Sequence, residues 1–272
     1  MRETAFAKLN LALHVRGRQP DGYHGLETIF AFVEEGDRLQ VESGEGLSLR
    51  VEGPFAAALA GAGDNLVHAA ARLLAERFGV DRGAALILDK RLPVAAGIGG
   101  GSADAAAALR LLDRFWGLDA GEAPLLALAR QLGADVPVCL LSRPCRGTGR
   151  GDALTPLDAP ELRAIPVLLV NPGVPLSTAA VFRAWDGPAS GPLGPDPFGG
   201  ANDLEGPAIA LVPEIEEVLE ALRGCAGARL VRMSGSGATC FALFGDEAER
   251  DSASRRIAAA RPGWWRLASR LR

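Results

Sequence analysis

The stretch Pro93-Val94-Ala95-Ala96-Gly97-Ile98-Gly99-Gly100-Gly101-Ser102-Ala103-Asp104 restricts what this chain can fold into more than any other. Glycine fills four of the five positions from 97 to 101. That density costs too much backbone entropy for the interior of a helix or strand. Leu86-Ile87-Leu88 supplies a short apolar strand before it, and Ala105 to Leu112 is built from strong helix formers after it. The order is therefore strand, glycine loop, helix. Backbone without Cβ atoms wraps closely around an anion. Its N–H groups and the helix N-terminus then offer donors and partial positive charge to phosphate. A plain strand-to-helix turn needs only one or two glycines. The pattern lacks the Gly-Lys-Ser/Thr of a Walker loop and the spacing of a dinucleotide fold.

Charge and composition narrow the function classes. A net charge of −4 does not favour a basic surface, so no nucleic-acid partner is expected. No apolar run reaches the roughly 18 residues of a membrane span, so no membrane partner is expected either. Met1-Arg2-Glu3-Thr4 leads straight into a strand-like segment and carries no signal-peptide core. Cys139, Cys145, Cys225 and Cys240 form no Cys-x-x-Cys pair and read as reduced, mostly buried thiols of a cytoplasmic protein. The 272 residues suffice for one large domain or two small ones. Monomer and homodimer both stay open. Among 29 basic residues only Lys8 and Lys90 are lysines. Where arginine serves nearly everywhere else, a lysine points to a site that needs a compact ammonium. For Lys90, chance survival is an equal alternative.

Ala5 to Leu13 reads as a strand, with Phe6, Lys8 and Asn10 on one side and Leu9, Leu11 and Leu13 on the other. Lys8 and Asn10 mark either an exposed edge or the wall of a site. A turn at Gly17 to Gly22 leads to Tyr23-His24, a pair that suits either a base clamp or a core tyrosine beside a surface histidine. Ala31 to Val33, Arg38 to Ser43 and Leu47 to Glu52 read as strands, the first two separated by a Glu-Gly-Asp turn. Asp64-Asn65 opens a helix that Gly79 stops. Pro124 to Leu132 is a further helix. Asp135 precedes an apolar run, Val136 to Leu141, that reads as a strand. The carboxylate is then a turn or cap residue, or a catalytic group. Arg146 to Asp152 reads as a turn and Pro166 to Val170 as a buried strand. Ser177-Thr178 caps a short helix, and the Gly- and Pro-rich 187–200 segment is a loop. Glu214 to Arg223 is an amphipathic helix. Ala228 to Met233 and Thr239 to Phe244 are strands joined by Ser234-Gly235-Ser236-Gly237, either a simple hairpin or a loop whose small residues let backbone approach a phosphate or the first glycine loop. A last helix, Glu247 to Ala260, precedes an edge strand from Trp264. The succession suggests an α+β protein with two lobes.

Three of these segments, Ala7-Lys8-Leu9-Asn10-Leu11, Pro93 to Ala103 and Ser234 to Ala238, stand in the order and spacing of the three motifs of the GHMP kinases. Asp21-Gly22-Tyr23-His24 and Gly133-Ala134-Asp135-Val136-Pro137 add to the likeness, which covers essentially the whole chain. The resemblance implies the GHMP kinase fold. An N-terminal lobe like ribosomal protein S5 domain 2 would occupy 1–150, and a ferredoxin-like C-terminal lobe 151–272. It also implies an activity: ATP phosphorylates the 2-hydroxyl of a cytidine-diphosphate-linked methylerythritol, on the non-mevalonate route to isoprenoids.

The resemblance further implies roles. Asp135 would accept the proton of the attacking hydroxyl or orient it, and Lys8 would counter charge on the transferred group. The backbone of Pro93, Val94, Ala95, Ala96, Gly97, Ile98, Gly99, Gly100, Gly101, Ser102 and Ala103 would cradle the triphosphate, with Asn65 and Lys90 at the nucleoside end. Tyr23 and Phe182 would sandwich the cytosine, His24 would bond its polar edge, and Asn10 and Thr178 would touch substrate or fix Lys8. Related kinases often carry Gly-Leu-Gly-Ser-Ser, whose second serine can hold Mg²⁺. This chain has Gly100-Gly101 with Ser102 one later and then Ala103, so no protein ligand for Mg²⁺ is expected and the ion arrives on ATP. Two other readings stand beside this one: a homoserine or mevalonate kinase, against which Tyr23-His24 speaks, and a non-catalytic nucleotide-binding regulator, against which Lys8 and Asp135 speak.

Overall fold

A computed structural model describes residues 1–18, 24–60 and 65–272. Asp21, Gly22, Tyr23 and Asp64 lie outside the described residues. In chain order the elements are β1 (Arg2–Arg18), β2 (His24–Glu42), β3 (Leu47–Glu52), α1 (Leu66–Phe78), β4 (Ala84–Asp89), α2 (Gly100–Trp116), α3 (Glu122–Leu132), α4 (Val136–Leu141), β5 (Cys145–Gly149) and β6 (Ala153–Pro156). Then come β7 (Pro166–Asn171), α5 (Thr178–Ala184), α6 (Glu205–Leu211), α7 (Glu214–Arg223), β8 (Ala228–Met233), β9 (Cys240–Phe244), α8 (Glu247–Ala260) and β10 (Trp265–Arg270). These fall into two compact units that interleave along the chain. The first holds Met1–Ala7, Glu35–Val94 and Gly99–Ser142, and the second holds Lys8–Glu34, Ala95–Ile98 and Arg143–Arg272. A single cut at 150 does not reproduce that division.

In the first unit β3 runs parallel to β4, and β4 pairs antiparallel with Arg38–Glu42 of β2. The sequence places a turn at Glu35-Gly36-Asp37, but β2 runs through it without a break. The reason is steric. A Cβ on Gly36 would lie 1.8 Å from the carbonyl oxygen of Ala5, so glycine here marks close strand approach, not chain reversal. Gly36→Ala is therefore expected to cost on the order of 3 kcal/mol, seen as a lower midpoint in thermal unfolding. α2 is enclosed nearly all round. Ala105, Ala106, Ala107 and Ala108 are completely buried, and such a helix must lie inside its unit. α1 packs on it through Val67, Ala70, Ala71 and Leu74, and α4 packs on it as well.

The Val136–Leu141 run is a helix, not the expected strand. Pro137 sits in its first turn, where its missing N–H costs nothing. The Arg110 guanidinium of α2 fixes its far end, donating to the carbonyls of Cys139 (2.8 Å) and Leu140 (3.2 Å) while also pairing with Glu3 (3.0 Å). Apolar β-branched residues chosen for burial thus imitate a strand in the sequence.

In the second unit a four-stranded antiparallel sheet has the order β10-β7-β9-β8. With helices between β7 and β8 and between β9 and β10, this is the ferredoxin-like succession expected of the C-terminal lobe. α7 covers β8 and β9 with Ile215, Val218, Leu219 and Leu222, all fully buried. Leu26–Phe30 of β2 pairs with β5, and β5 pairs with β6. β5 replaces part of the turn read at Arg146 to Asp152. Gly147 hides it in the sequence: a Cβ there would lie 2.6 Å from the Phe30 ring, so the strand needs glycine. The 187–200 segment is irregular, as its composition indicates. It is pinned by Arg146, which donates to the carbonyls of Leu193 (2.9 Å) and Gly194 (2.5 Å).

Candidate functional site

Three sequence motifs meet in the second unit. Lys8 and Asn10 lie on β1 with 4% and 2% of their surface exposed, so the edge-strand alternative is excluded and the pair lines an interior. The Lys8 backbone N–H donates to the carbonyl of Ile98 at 3.0 Å. Lys8 Nζ donates to Asn10 Oδ1 at 2.8 Å, and its ammonium lies 5.6 Å from the centroid of the Phe30 ring. Asn10 Nδ2 donates to Thr28 Oγ1 (2.8 Å), which donates to the Ala12 carbonyl (2.6 Å). This relay leaves the Asn10 amide only one orientation, with its oxygen toward the ammonium.

The third motif is tied to the same place through Ser234, whose Oγ accepts from the Asn10 N–H (3.2 Å) and donates to the Gly97 carbonyl (3.1 Å). The Thr239 N–H donates to the Ala96 carbonyl at 3.2 Å. The two glycine-rich loops are flush: a Cβ on Gly97 would sit 2.4 Å from the Ser234 carbonyl oxygen, and one on Gly235 would sit 2.8 Å from that of Gly97. Ser234 to Gly237 joins β8 to β9 as a hairpin and also brings its backbone against the first glycine loop. Asn202 fastens this loop by donating to the carbonyls of Met233 (2.7 Å) and Gly235 (2.8 Å). Thr178 Oγ1 lies 2.8 Å from Ser236 Oγ, at the start of α5.

On the same unit His24 stacks on Phe182 with ring centroids 5.3 Å apart and 23° between planes. Trp185 meets His24 edge-on at 5.5 Å and 83°. Phe182 and Trp185 come together because Ser177 caps α5, accepting from the Ala180 N–H at 3.4 Å. Tyr23, the other expected stacking partner, lies outside the described residues. Sequence reasoning missed Thr28, Asn202 and Trp185. Thr28 and Asn202 are ordinary polar residues whose partners lie 16 and 31 positions away.

In the first unit Gly99 is the N-cap of α2 with φ +66°, and Gly100, Gly101, Ser102 and Ala103 form its first turn instead of a loop. No side chain caps this end and no acidic residue sits in its first turn, so its N–H groups and partial positive charge suit an anion. Ala95 adopts φ +52°, a left-handed conformation that costs a non-glycine residue roughly 1–2 kcal/mol. Asn65 caps α1, its Oδ1 accepting from the Val67 N–H at 2.9 Å. Asp135 occupies the N-cap position of α4 but makes no capping hydrogen bond with its side chain.

Lys90 is 1% exposed, and its ammonium donates to two carboxylates: Asp37 Oδ2 at 2.5 Å and Asp104 Oδ2 at 2.6 Å. Burial lowers the Lys90 pKa, but Asp104 and Asp37 outweigh it and the net shift is upward. For Asp104, burial first and the Asp37 charge next raise the pKa against the pull of Lys90, from 3.8 to about 8. The folded protein thus keeps this proton where an unfolded carboxyl loses it. The group's contribution to stability falls as pH climbs from about 4 to about 8. Asp37 is a residue that sequence reasoning missed.

Comparison with known proteins agrees with this geometry. The model of the GHMP kinases N terminal domain matches residues 65–143, and that of the GHMP kinases C terminal matches 197–262. The 4-diphosphocytidyl-2-C-methyl-D-erythritol kinase of Rhizorhabdus wittichii is 57% identical over 99% of this chain and 94% of its own. That of Sphingopyxis alaskensis is 48% identical over 100% and 99%. A crystal structure of 4-(cytidine 5'-diphospho)-2C-methyl-D-erythritol kinase superimposes with a TM-score of 0.83 at 37% identity, covering 100% of this chain and 99% of that one. A homoserine kinase from Cytophaga hutchinsonii shares the fold at 17% identity, with a TM-score of 0.74 and coverage of 100% and 94%. Near-complete coverage at such identity, together with three motifs in their expected order, shows that the chain belongs to the GHMP kinase family.

Proposed function

We propose that this chain transfers the γ-phosphoryl group of ATP to the 2-hydroxyl of 4-diphosphocytidyl-2-C-methyl-D-erythritol, giving the 2-phosphate and ADP, in the non-mevalonate synthesis of isoprenoid precursors. The observation that carries the reading is the Lys8 ammonium, held by Asn10 on a strand whose backbone bonds the glycine stretch at Ile98. Phosphoryl transfer depends on positioning and charge stabilisation far more than on covalent help. A buried ammonium with a fixed partner meets that need.

ATP, with Mg²⁺ on its phosphates, supplies the phosphoryl group. The backbone of Pro93 to Ala103 and the uncapped start of α2 bind the triphosphate. Lys8 counters the negative charge of the group in transit, and Asn10 keeps it in place. Asp135 orients the acceptor hydroxyl and takes its proton. Asn65 serves the nucleoside through its amide, beside its capping role. His24 and Phe182, with Tyr23, hold the cytosine, and Thr178 touches the substrate. Stacking on aromatic rings is worth roughly 1–3 kcal/mol per base. This aromatic group favours the cytidine-linked substrate over homoserine or mevalonate, which carry no base. A cytoplasmic location belongs to the proposal, supported by four buried cysteine thiols.

The test is ADP release with ATP and each candidate acceptor in turn. Turnover with 4-diphosphocytidyl-2-C-methyl-D-erythritol alone is expected. Turnover with homoserine or mevalonate, and none with the cytidine-linked alcohol, would overturn the choice of substrate.

A further inference from the structure

Beneath the start of α2 lies a cluster that the reaction does not use directly. Lys90 follows β4 and precedes the glycine stretch, Asp104 stands in the second turn of α2 after it, and Asp37 lies on β2. One ammonium joins the chain entering the stretch to the chain leaving it, across 14 positions. Asp37 completes the clamp. Its Oδ1 accepts from the N–H groups of Arg91 (2.5 Å) and Leu92 (2.8 Å), the last residues before Pro93, while its Oδ2 accepts from Lys90 Nζ. A Cβ on Gly100 would lie 3.1 Å from that Nζ, so the cluster sits directly under the first turn of α2.

The charges do not balance. Two carboxylates and one ammonium leave one negative charge in excess if every group is ionised. Asp104 is 3% exposed, and its Oδ1 is buried with no hydrogen-bond partner among the described residues. A carboxylate has about four acceptor positions, and an ionised one with a single donor in an interior is poorly solvated. The charged groups acting on Asp104 are Lys90 and Asp37. The buried residues of α1 and α3 are all apolar, and α4 contributes only the Cys139 thiol as a buried titratable group.

We infer that Asp37, Lys90 and Asp104 are positioning residues for the nucleotide, and that the glycine stretch holds a triphosphate tightly only while Asp104 carries its proton. With the proton in place the cluster is neutral and α2 presents its positive end undiminished. Losing it sets a buried negative charge below the N–H groups that face phosphate. The direction of the Asp104 shift, caused first by burial, agrees with the geometry. The inference rests on ATP being the nucleotide, but not on the identity of the acceptor.

The experiment is calorimetric titration of the full chain with a non-hydrolysable Mg-ATP analogue from pH 6.5 to 9. The unaltered chain is expected to weaken its binding about tenfold across pH 8, the scale of one added charge near a phosphate. Asp104→Asn keeps the size and an acceptor for Lys90 but cannot ionise, so its affinity is expected to stay flat over that range. Lys90→Met is expected to lose about tenfold or more at pH 7. Should that variant fail to fold, the paired pH profiles of the unaltered chain and Asp104→Asn still decide. Parallel profiles in the two, whether flat or falling, would overturn the inference. A wrong acceptor leaves this readout untouched, whereas no nucleotide binding at any pH would overturn the kinase reading and the inference together.

Discussion

Asp135→Asn is expected to lower kcat by about 10²- to 10⁴-fold, the usual contribution of a positioned acid–base group, while the affinity for ATP stays within about twofold. The substitution keeps the shape of the side chain and removes its charge. Asp135 occupies the N-cap position of α4, and its carboxylate makes no capping hydrogen bond. The far end of α4 is secured independently by Arg110. A loss of turnover with an unchanged melting temperature therefore reports chemistry. Steady-state kinetics and thermal unfolding of the same preparation provide the check, and undiminished kcat would remove Asp135 from the mechanism.

Lys8→Met is expected to reduce kcat by about 10²- to 10³-fold, comparable with removing one preorganised donor from a charged transition state. Here some stability should be lost as well. Lys8 Nζ is the donor to Asn10 Oδ1 at 2.8 Å, in a place where both residues are buried. An acceptor stripped of its donor in such surroundings costs about 1–3 kcal/mol. Lys8→Arg separates the two effects. It restores a charge and a donor, yet its planar fork is too large for a space shaped around an ammonium, with the Phe30 ring on one side. Turnover close to normal in Lys8→Arg would show that a charge and a donor suffice and that the compact shape of the ammonium does not matter. Low turnover in both variants, with stability regained only in the arginine one, is the expected pattern.

What could be read from the sequence was what depends on neighbours in sequence. The glycine stretch announces its loop and helix because only glycine tolerates such density. Asn65 and Gly79 bracket α1, and Ser177 starts α5, because caps act within a few positions. Lys8 and Asn10 show as an oddity on an apolar strand. The failures share a different cause. Gly36 looks like a turn because the carbonyl it must avoid belongs to Ala5, 31 positions earlier. Val136 to Leu141 looks like a strand because its residues were selected for burial against α2, which no local pattern reveals. Lys90 shows only as a rare lysine until Asp37, 53 positions before it, is placed beside its ammonium. Tertiary partners decide these cases, and a single sequence does not print them.

The interleaving of the two units has a consequence for biosynthesis. Residues 8–34 leave the ribosome early, but the bulk of the unit they complete, 143–272, follows more than a hundred residues later. At about 5–20 residues per second the nascent chain carries Leu13 and Val15 for several seconds without Leu168 and Val170, which share their core. Both are almost fully enclosed in the finished protein. The last residue of the first unit is Ser142, so that unit is fully synthesised before residues 143–272 of the second, and the early strands wait longest for their partners.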